Sequence, residues 1–193
     1  MIDLHTHTIF SDGTWNLEEL LTNAEKAGIS TLSITDHDTA IPHIKLKKVD
    51  INKFFSGRVI VGGEFNAIFH NTKIELLGYD FNPEQLQEWI NKTYNKIDEF
   101  EGYEKEFTEI LELCKKNNVK TTEGLKYDKI AKYPTKIIYN DIKKYEENKR
   151  FFTKEEWSVR EAFFRSCTCN PNFILYRDFS NQYPTAEEVS RTN

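Results

Sequence analysis

Two histidines separated by a single residue stand near the start of the chain, in Ile2-Asp3-Leu4-His5-Thr6-His7. The alternation in this stretch predicts a short β-strand, and side chains at positions i and i+2 of a strand leave the same face. His5 and His7 can therefore converge on one metal ion, because imidazole nitrogens are common ligands of transition metals. A histidine pair by itself is weak evidence, so the rest of the chain has to supply further ligands.

Further candidate ligands follow two more apolar segments. The segment 29–35 predicts a second strand and leads to His37, and Val59-Ile60-Val61 predicts a third strand and leads to Glu64. The carboxyl ends of parallel strands share one edge of a sheet, where α/β proteins build their sites. Asp12 lies just beyond the first strand, and a predicted hairpin around residues 70–72 carries Glu75. The predicted metal ligands are His5, His7, Asp12, His37, Glu64 and Glu75.

Six nitrogen and oxygen ligands exceed what one four-coordinate ion needs, so more than one ion is expected. This ligand set suits zinc, manganese or iron, and manganese is favoured as carboxylates increase. A carboxylate such as Glu64 can bridge two ions. Ions roughly 3.5 to 4 Å apart can activate a water and stabilise the leaving oxygen of a phosphoryl displacement. The sequence therefore predicts hydrolysis of a phosphomonoester or nucleotide phosphate by a metal-activated hydroxide.

The elements that must position these ligands alternate over residues 1–80. Asn16 can cap a helix with Glu19 as its capping-box partner, and residues 42–52 predict a second helical or irregular crossover. Strand, helix, strand, crossover and strand form a βαβαβ pattern, which is typical of a parallel sheet with helices outside it. The predicted fold class is therefore α/β.

The periodicity becomes helical from residue 81. Asn82-Pro83 predicts a helix start, and residues 83–118 predict one broken helix or two consecutive helices. Shorter helices follow, including one capped by Thr153, and Thr185 with Glu188 predicts another helix start. The expected domains are the metal-binding half of a barrel over 1–80, a helical insertion subdomain over 81–166, and an incomplete return to the barrel over 167–193.

Composition limits the classes of function. The chain has 193 residues, a formal net charge of −5 and 30% charged residues, and no apolar run approaches the roughly 20 residues of a membrane-spanning helix. We therefore expect no membrane association and no general nucleic-acid binding, and a small phosphorylated substrate or nucleotide as partner. A strand begins right after Met1, without the pattern of a leader, and the three cysteines form no even-numbered framework. These features predict a cytoplasmic protein with reduced thiols.

Four motifs in order resemble the PHP family, which is named for its polymerase and histidinol phosphatase members. They are Asp3-Leu4-His5-Thr6-His7 with Ser11-Asp12-Gly13-Thr14, Leu32-Ser33-Ile34-Thr35-Asp36-His37-Asp38-Thr39, Gly63-Glu64, and Leu76-Leu77-Gly78-Tyr79. The resemblance implies a distorted (β/α)7 barrel with two or three metal ions and phosphoesterase activity. It also implies that His5, His7, Asp12, His37 and Glu64 are ligands. The family usually has a histidine where this chain has Glu75, which can still ligate as a carboxylate.

The family's later motifs, including an Ala-His-Pro strand, have no counterpart here, since no histidine follows His70. The resemblance thus predicts a truncated member with about the first half of the barrel strands, fewer ions, and phosphoesterase activity that is impaired by the missing ligands. This leaves an alternative in which the chain is a non-catalytic remnant that binds little metal and self-associates through an unpaired sheet edge as a homo-oligomer. A third option, hydrolysis of a carbon–nitrogen bond, lacks the lysine and later aspartate that such sites use.

Several other polar residues receive secondary predictions. Arg160 and Arg165 are candidates for contacting a substrate phosphate. Asp36 is expected to support a ligand or cap a turn rather than bind an ion, and His43 and His70 are expected to be exposed to solvent.

Overall fold

The structure is a computed structural model that describes residues 1–94, 99–128, 130, 133–179 and 182–192. In the first part of the chain, strands alternate with helices as the sequence predicts. The elements are β1 (Ile2–Thr6), α1 (Leu17–Lys26), β2 (Thr31–Ile34), α2 (Ile41–Leu46), a 3₁₀ turn (Ile51–Lys53), β3 (Arg58–Phe69), β4 (Thr72–Tyr79) and α3 (Pro83–Thr93).

The four strands form one curled sheet in the order β1-β2-β3-β4. β2 pairs in parallel with both β1 and β3. The pairing of β1 with β2 changes register between Asp3↔Leu32 and Thr6↔Ile34, where β1 has one residue more than β2. Such a β-bulge bends a strand and redirects the side chains around it. The irregular stretch of β1 thus contains Leu4 and His5 and lies just before His7.

Helix α1 forms as predicted, because its start is capped and one of its faces is apolar. The Asn16 side chain accepts a hydrogen bond from the Glu19 N–H, and the Glu19 carboxylate accepts one from the Asn16 N–H. The buried face of α1 packs with Leu32 and Ile34 of β2 and with Phe55 in one core cluster. This packing buries one face of β2 against α1. The opposite face of β2 lies on the concave side of the sheet.

Strand β3 is longer than the sequence predicts. The sequence predicts a third strand over Val59-Ile60-Val61 and a separate hairpin around residues 70–72, but β3 runs without a break from Arg58 to Phe69 and forms the first strand of that hairpin. His70 and Asn71 then turn the chain into β4 with φ angles of 48° and 61°. Two successive positive φ angles are the signature of the tight turn that suits the twist of a β-hairpin.

A second core cluster holds α3 and the last described segment against β3. Phe65, Leu86, Ile90 and Val189 are buried in it. The Ile68 N–H donates to the Pro184 carbonyl at 2.8 Å, and Thr185 forms a parallel bridge with Ile68. The predicted helix start at Thr185 is confirmed, because α8 (Ala186–Ser190) begins there with a complete capping box.

The helical part has its own core. Its elements are α4 (Glu99–Lys116), α5 (Pro134–Ile142), a 3₁₀ helix (Glu146–Phe151), α6 (Lys154–Ser158) and α7 (Arg160–Cys169). Helices α3 and α4 confirm two consecutive helices within 83–118, and residues 95–98 between them lie outside the described part. The predicted capping box at Thr153 starts α6. Ile110, Ile138, Phe163 and Leu175 lie in the centre of this core.

The chain divides into two compact units. The first contains residues 1–69, 74–95 and 181–193, and the second contains residues 70–73 and 96–180. By its contacts α3 belongs to the first unit, whereas the sequence begins the insertion at residue 81; the predicted domain boundaries stay a prediction. Across the described ranges, no helix combines the length and apolarity needed to cross a membrane.

Candidate metal centre

Three imidazoles from the ends of β1 and β2 surround one carboxylate oxygen. The Glu64 Oε2 atom lies 3.0 Å from His5 Nε2, 3.2 Å from His7 Nε2 and 3.6 Å from His37 Nδ1. Backbone pairing explains why His37 is close, since it forms a parallel bridge with Glu64 just past the end of β2. The structure therefore brings four of the predicted ligands to one point on the sheet edge.

Asp12 extends this cluster on the side away from Glu64. Its Oδ1 lies 3.0 Å from His7 Nδ1, and its Oδ2 lies 3.7 Å from His37 Nε2. Potential ligand atoms fall into two groups in the described chain, one formed by His5, His7 and Glu64 and the other by His7, Asp12 and His37. The groups share His7, so the arrangement can accommodate neighbouring ions rather than one isolated ion.

A buried carboxylate holds the loop that carries Asp12. Asp36 is 1% exposed and accepts hydrogen bonds from the Thr8 N–H at 2.7 Å, the Thr8 hydroxyl at 2.6 Å and the Ser11 hydroxyl at 2.6 Å. Ser11 Oγ is also 3.3 Å from Asp12 Oδ1 and 3.4 Å from His7 Nδ1. The predicted supporting role of Asp36 fits this geometry, because the residue connects the end of β2 to two candidate ligands.

The same loop needs a glycine for close packing. A Cβ atom at Gly13 would lie 2.4 Å from the His7 carbonyl oxygen, which is too near for any side chain. The Gly13 N–H donates to the Thr8 carbonyl at 3.0 Å. Thus the Ser11-Asp12-Gly13 motif folds the loop tightly back onto the end of β1.

The exposure of the site is uneven. The Glu64 side chain is 9% exposed, while His5 is 48% and Asp12 is 62% exposed. The Glu64 side of the site is therefore buried, and the side formed by His5 and Asp12 faces solvent. Burial raises the pKa of the neighbouring Tyr79, and the negative charge of Glu64 raises it further.

The hydrogen bonding of His37 tests whether the site is suited to a metal ion. Its Nδ1 atom is buried and has no hydrogen-bond partner among the described residues. A buried imidazole nitrogen normally has a partner, and a metal ion is one that would satisfy it. The nitrogen and carboxylate donors around it are those that zinc, manganese and iron accept.

Three predicted site residues are not part of these groups. Glu75 is an exposed residue of β4 and belongs to neither potential metal group of the described chain. Ile74 and Leu76 pack against the second core cluster, so strand alternation puts Glu75 on the opposite face of β4, which is also the face of Tyr79. Arg160 and Arg165 are exposed on α7, and the Arg160 guanidinium donates to Glu161 at 2.7 Å. Their contact with substrate stays a prediction.

His43 corrects one expectation from the sequence. The prediction made it solvent-exposed, but it is 3% exposed, and its Nε2 lies 2.8 Å from the Ile34 carbonyl and 3.1 Å from the Gly62 nitrogen. Burial lowers its pKa. The sequence carried no clear signal for this, because α2 has only six residues and shows little periodicity. His70 is exposed as predicted.

Comparisons with known proteins bear on the family and the fold of the chain. A family model for the PHP domain matches residues 3–154. The chain is 31% identical over 80 residues to the 5'-3' exoribonucleases Rnm of Escherichia coli strain K12 and Salmonella typhimurium strain LT2. The matched segment covers 42% of this chain and 27% of each of these relatives, so the chain matches about a quarter of their length.

A solved structure supports the fold. A protein from Bifidobacterium adolescentis, assigned as a metal-dependent phosphoesterase, superposes with a TM-score of 0.51 at 17% identity. The match covers 98% of this chain and 62% of that protein. At this identity the likeness concerns the fold alone, and it identifies the curled sheet with its helices as a partial PHP-type barrel. The family match extends over more than half of the sequence, and the chain belongs to the PHP domain family.

Proposed function

We propose that this chain is a metal-dependent phosphoesterase that hydrolyses a phosphomonoester or nucleotide phosphate. The convergence of three imidazoles on Glu64 Oε2, at 3.0, 3.2 and 3.6 Å, is the observation that carries the proposal. Positively charged histidines are not required for this arrangement, since neutral imidazoles bind divalent ions directly. Family membership favours phosphoester chemistry over other uses of such a site.

The residues divide into two sets of donors. His5, His7 and Glu64 would hold one ion, and Asp12 and His37 would hold a second beside His7. Divalent ions in such a site lower the pKa of a water molecule and offset the charge that develops on a leaving oxygen. Manganese, zinc and iron all remain candidates for this donor set.

The protein's own groups fix the geometry. Glu64 places a negative charge on the buried side of the site, and this charge favours the binding of a cation there. Asp12 and His5 lie at the solvent-facing side, so a phosphate ester can approach without passing through the core. Asp36 holds the loop between them and reduces the motion of Asp12.

A nucleotide phosphate is the narrower substrate class that we propose. The two relatives with 31% identity are named as 5'-3' exoribonucleases, which act on RNA, and their match supports a phosphorylated nucleotide end as substrate. General binding to nucleic acid is not expected at a net charge of −5. Arg160 and Arg165 are the cations that we propose for contact with a substrate phosphate.

The test is a binding and activity measurement on the purified chain. Manganese and zinc binding is measured by calorimetry, and turnover is measured with p-nitrophenyl phosphate and a 5'-phosphorylated oligoribonucleotide. Glu64→Gln keeps the shape but removes the charge, so we expect metal affinity to fall about 100-fold or more, beyond the range for outer residues. Glu84→Gln, in an exposed ion pair with Lys47, is the matched control and should bind metal as the wild type does.

The alternative is a non-catalytic chain that self-associates. β1 stands at one end of the sheet order, and its Ile2 and Leu4 side chains are exposed. A strand at the end of a sheet can pair with another chain. This alternative predicts that light scattering shows a dimer and that the wild type binds metal no more tightly than Glu64→Gln does. These two results together would contradict the enzyme proposal.

A further inference from the structure

Tyr79, the last residue of β4, lies across the concave face of the sheet. Its ring packs over Gly62 of β3, where an added Cβ would be 3.2 Å from Tyr79 Cδ1 and 2.2 Å from Ser33 Oγ. A side chain at this position would overlap the Ser33 hydroxyl and crowd the Tyr79 ring. The ring is therefore seated on the middle of the sheet, and its hydroxyl extends toward β1.

The hydroxyl of Tyr79 reaches the opposite end of the sheet. It donates a hydrogen bond to the Leu4 carbonyl at 2.8 Å. β4 and β1 are the last and first strands in the sheet order, so this bond spans the two strands between them. One side chain thus joins the two ends of the four-stranded sheet across its concave face.

The accepting carbonyl lies in the β-bulge of β1. Leu4 is between Asp3 and Thr6, where the register with β2 changes. A bulge interrupts the ladder of backbone hydrogen bonds, so a carbonyl there gains from a donor outside the ladder. Tyr79 supplies such a donor at the place where β1 deviates from regular pairing.

The bulge also decides where two candidate ligands point. Leu4 immediately precedes His5, and His7 follows two residues later; both rings contact Glu64 Oε2. A shift of one residue in a strand moves every side chain to the opposite face. If the bulge relaxed, at least one of these imidazoles would turn away from Glu64.

We propose that Tyr79 is a positioning residue of the metal centre, which holds the β1 bulge in place so that His5 and His7 face Glu64. The inference rests on the proposed metal-binding function. It assigns to Tyr79 no contact with an ion or a substrate. A purely structural hydroxyl would contribute to the stability of the fold without affecting how the site binds ions.

The experiment compares two tyrosine-to-phenylalanine variants of the full chain. Tyr79→Phe keeps the ring on Gly62 and removes only the bond to Leu4. Tyr139→Phe removes a similar hydroxyl bond, from Tyr139 to the Trp157 carbonyl at 3.0 Å, in the second unit. Binding of Mn²⁺ and Co²⁺ is measured by calorimetry, and the visible spectrum of the Co²⁺-loaded protein reports the ligand geometry.

We expect Tyr79→Phe to weaken Mn²⁺ binding by about 10- to 100-fold, as for residues that orient a ligand, and to change the Co²⁺ spectrum. Tyr139→Phe should match the wild type in both readouts. Wild-type affinity and an unchanged spectrum in Tyr79→Phe would overturn the inference and leave the proposed function intact. Failure of the wild type itself to bind either ion would overturn both, since there would be no site to position.

Discussion

Asp36 illustrates how a residue that need not touch an ion can control a metal centre. Its carboxylate accepts three short hydrogen bonds from Thr8 and Ser11, and Ser11 in turn neighbours Asp12. Asp36 and Thr8 are buried, so the two bonds between them are protected from competition with water, whereas Ser11 is half-buried. The position of Asp12 therefore depends on Asp36.

Replacement of Asp36 with asparagine should affect metal binding and stability together. The amide keeps the size of the side chain but cannot accept from all three donors, so we expect a loss of about 1–3 kcal/mol in the free energy of unfolding. We also expect Mn²⁺ affinity to fall about 10- to 100-fold. Urea denaturation and calorimetry measure the two effects.

Asp141→Asn is the matched control for this prediction. Asp141 is equally buried and accepts from the N–H and the hydroxyl of Thr122, both at 2.7 Å, in the second unit. The control should lose stability and retain metal affinity. An equal effect of the two variants on Mn²⁺ binding would show that Asp36 has no specific influence on the site.

The sequence predicted the candidate ligands better on strand ends than on the hairpin. His5, His7, His37 and Glu64 were expected to meet because parallel strands end at one edge, and the structure brings them together. Glu75 differs, because it belongs to neither group of potential ligands although it shares the face of β4 that carries Tyr79. How near a position on β4 comes to the other ligands depends on a strand pairing that the sequence does not specify. Metal binding by any of them stays a prediction.

At the scale of elements, the packing of α2 on the sheet introduces a buried histidine. His43 Nε2 lies between the Ile34 carbonyl and the Gly62 N–H, so the imidazole connects α2 to β2 and β3. Burial lowers its pKa, and its hydrogen bonds only partly offset this effect. The neutral ring is therefore the form that the folded protein favours.

This lowered pKa predicts how stability responds to pH. Below a pH of about 6.5 the unfolded chain binds a proton at His43 that the folded chain resists, so stability falls as the pH decreases toward the lowered pKa of the folded state. Above about 6.5 the ring is neutral in both states and the contribution is constant. In His43→Gln, this part of the loss of stability between pH 7 and 5.5 should disappear.

Urea denaturation of the metal-free protein at several pH values measures this difference. His70→Gln, at an exposed histidine of the hairpin turn, is the control. If His43→Gln keeps the full acid dependence of the wild type, His43 is not the group responsible.

Element boundaries show where sequence patterns fail. The two glycines Gly62-Gly63 follow the predicted third strand, yet β3 continues through them, because Gly62 allows close approach to Ser33 of β2 rather than a turn. Capping predictions at Asn16, Thr153 and Thr185 were all confirmed, since each depends on residues only three positions apart. Local signals are thus predictable, whereas close approach between distant strands is not.

At the scale of the whole molecule, Arg177 is a buried charge within the second unit. Its guanidinium donates to Glu109 at 2.7 and 2.9 Å and to Glu106 at 3.0 Å, and its side chain is 7% exposed. Burial raises the pKa of Glu106, and the charge of Arg177 opposes this effect. The interaction joins α4 to the segment that follows α7.

Removal of this arginine should destabilise the second unit alone. Arg177→Met leaves the partly buried Glu106 without its cation, and the cost should not exceed the roughly 3–5 kcal/mol of breaking a fully buried ion pair. Since each unit has its own core, we expect hydrogen exchange to accelerate in α4 and α5 while β1–β3 keep their protection. Arg160→Met, at an exposed pair with Glu161, should change stability by less than about 1 kcal/mol. Equal acceleration in both units would contradict the prediction.

The division into units could be predicted only in outline. The change from a βαβαβ pattern to helical periodicity indicated two regions, and the PHP resemblance predicted an α/β barrel with an insertion. The place of α3 depends on Leu86 and Ile90, which pack with Phe65 of β3. Such a contact between residues distant in the sequence has no local signature.

The bridge between Ile68 and Thr185 has a consequence for synthesis of the chain. Ile68 of β3 leaves the ribosome long before Thr185 is synthesised. Phe65 and Leu86 therefore stay exposed until Val189 can pack against them. The nearly continuous helical unit can meanwhile complete its own core. A nascent chain halted before residue 181 should therefore expose apolar surface and bind chaperones more strongly than a chain that contains residues 182–192.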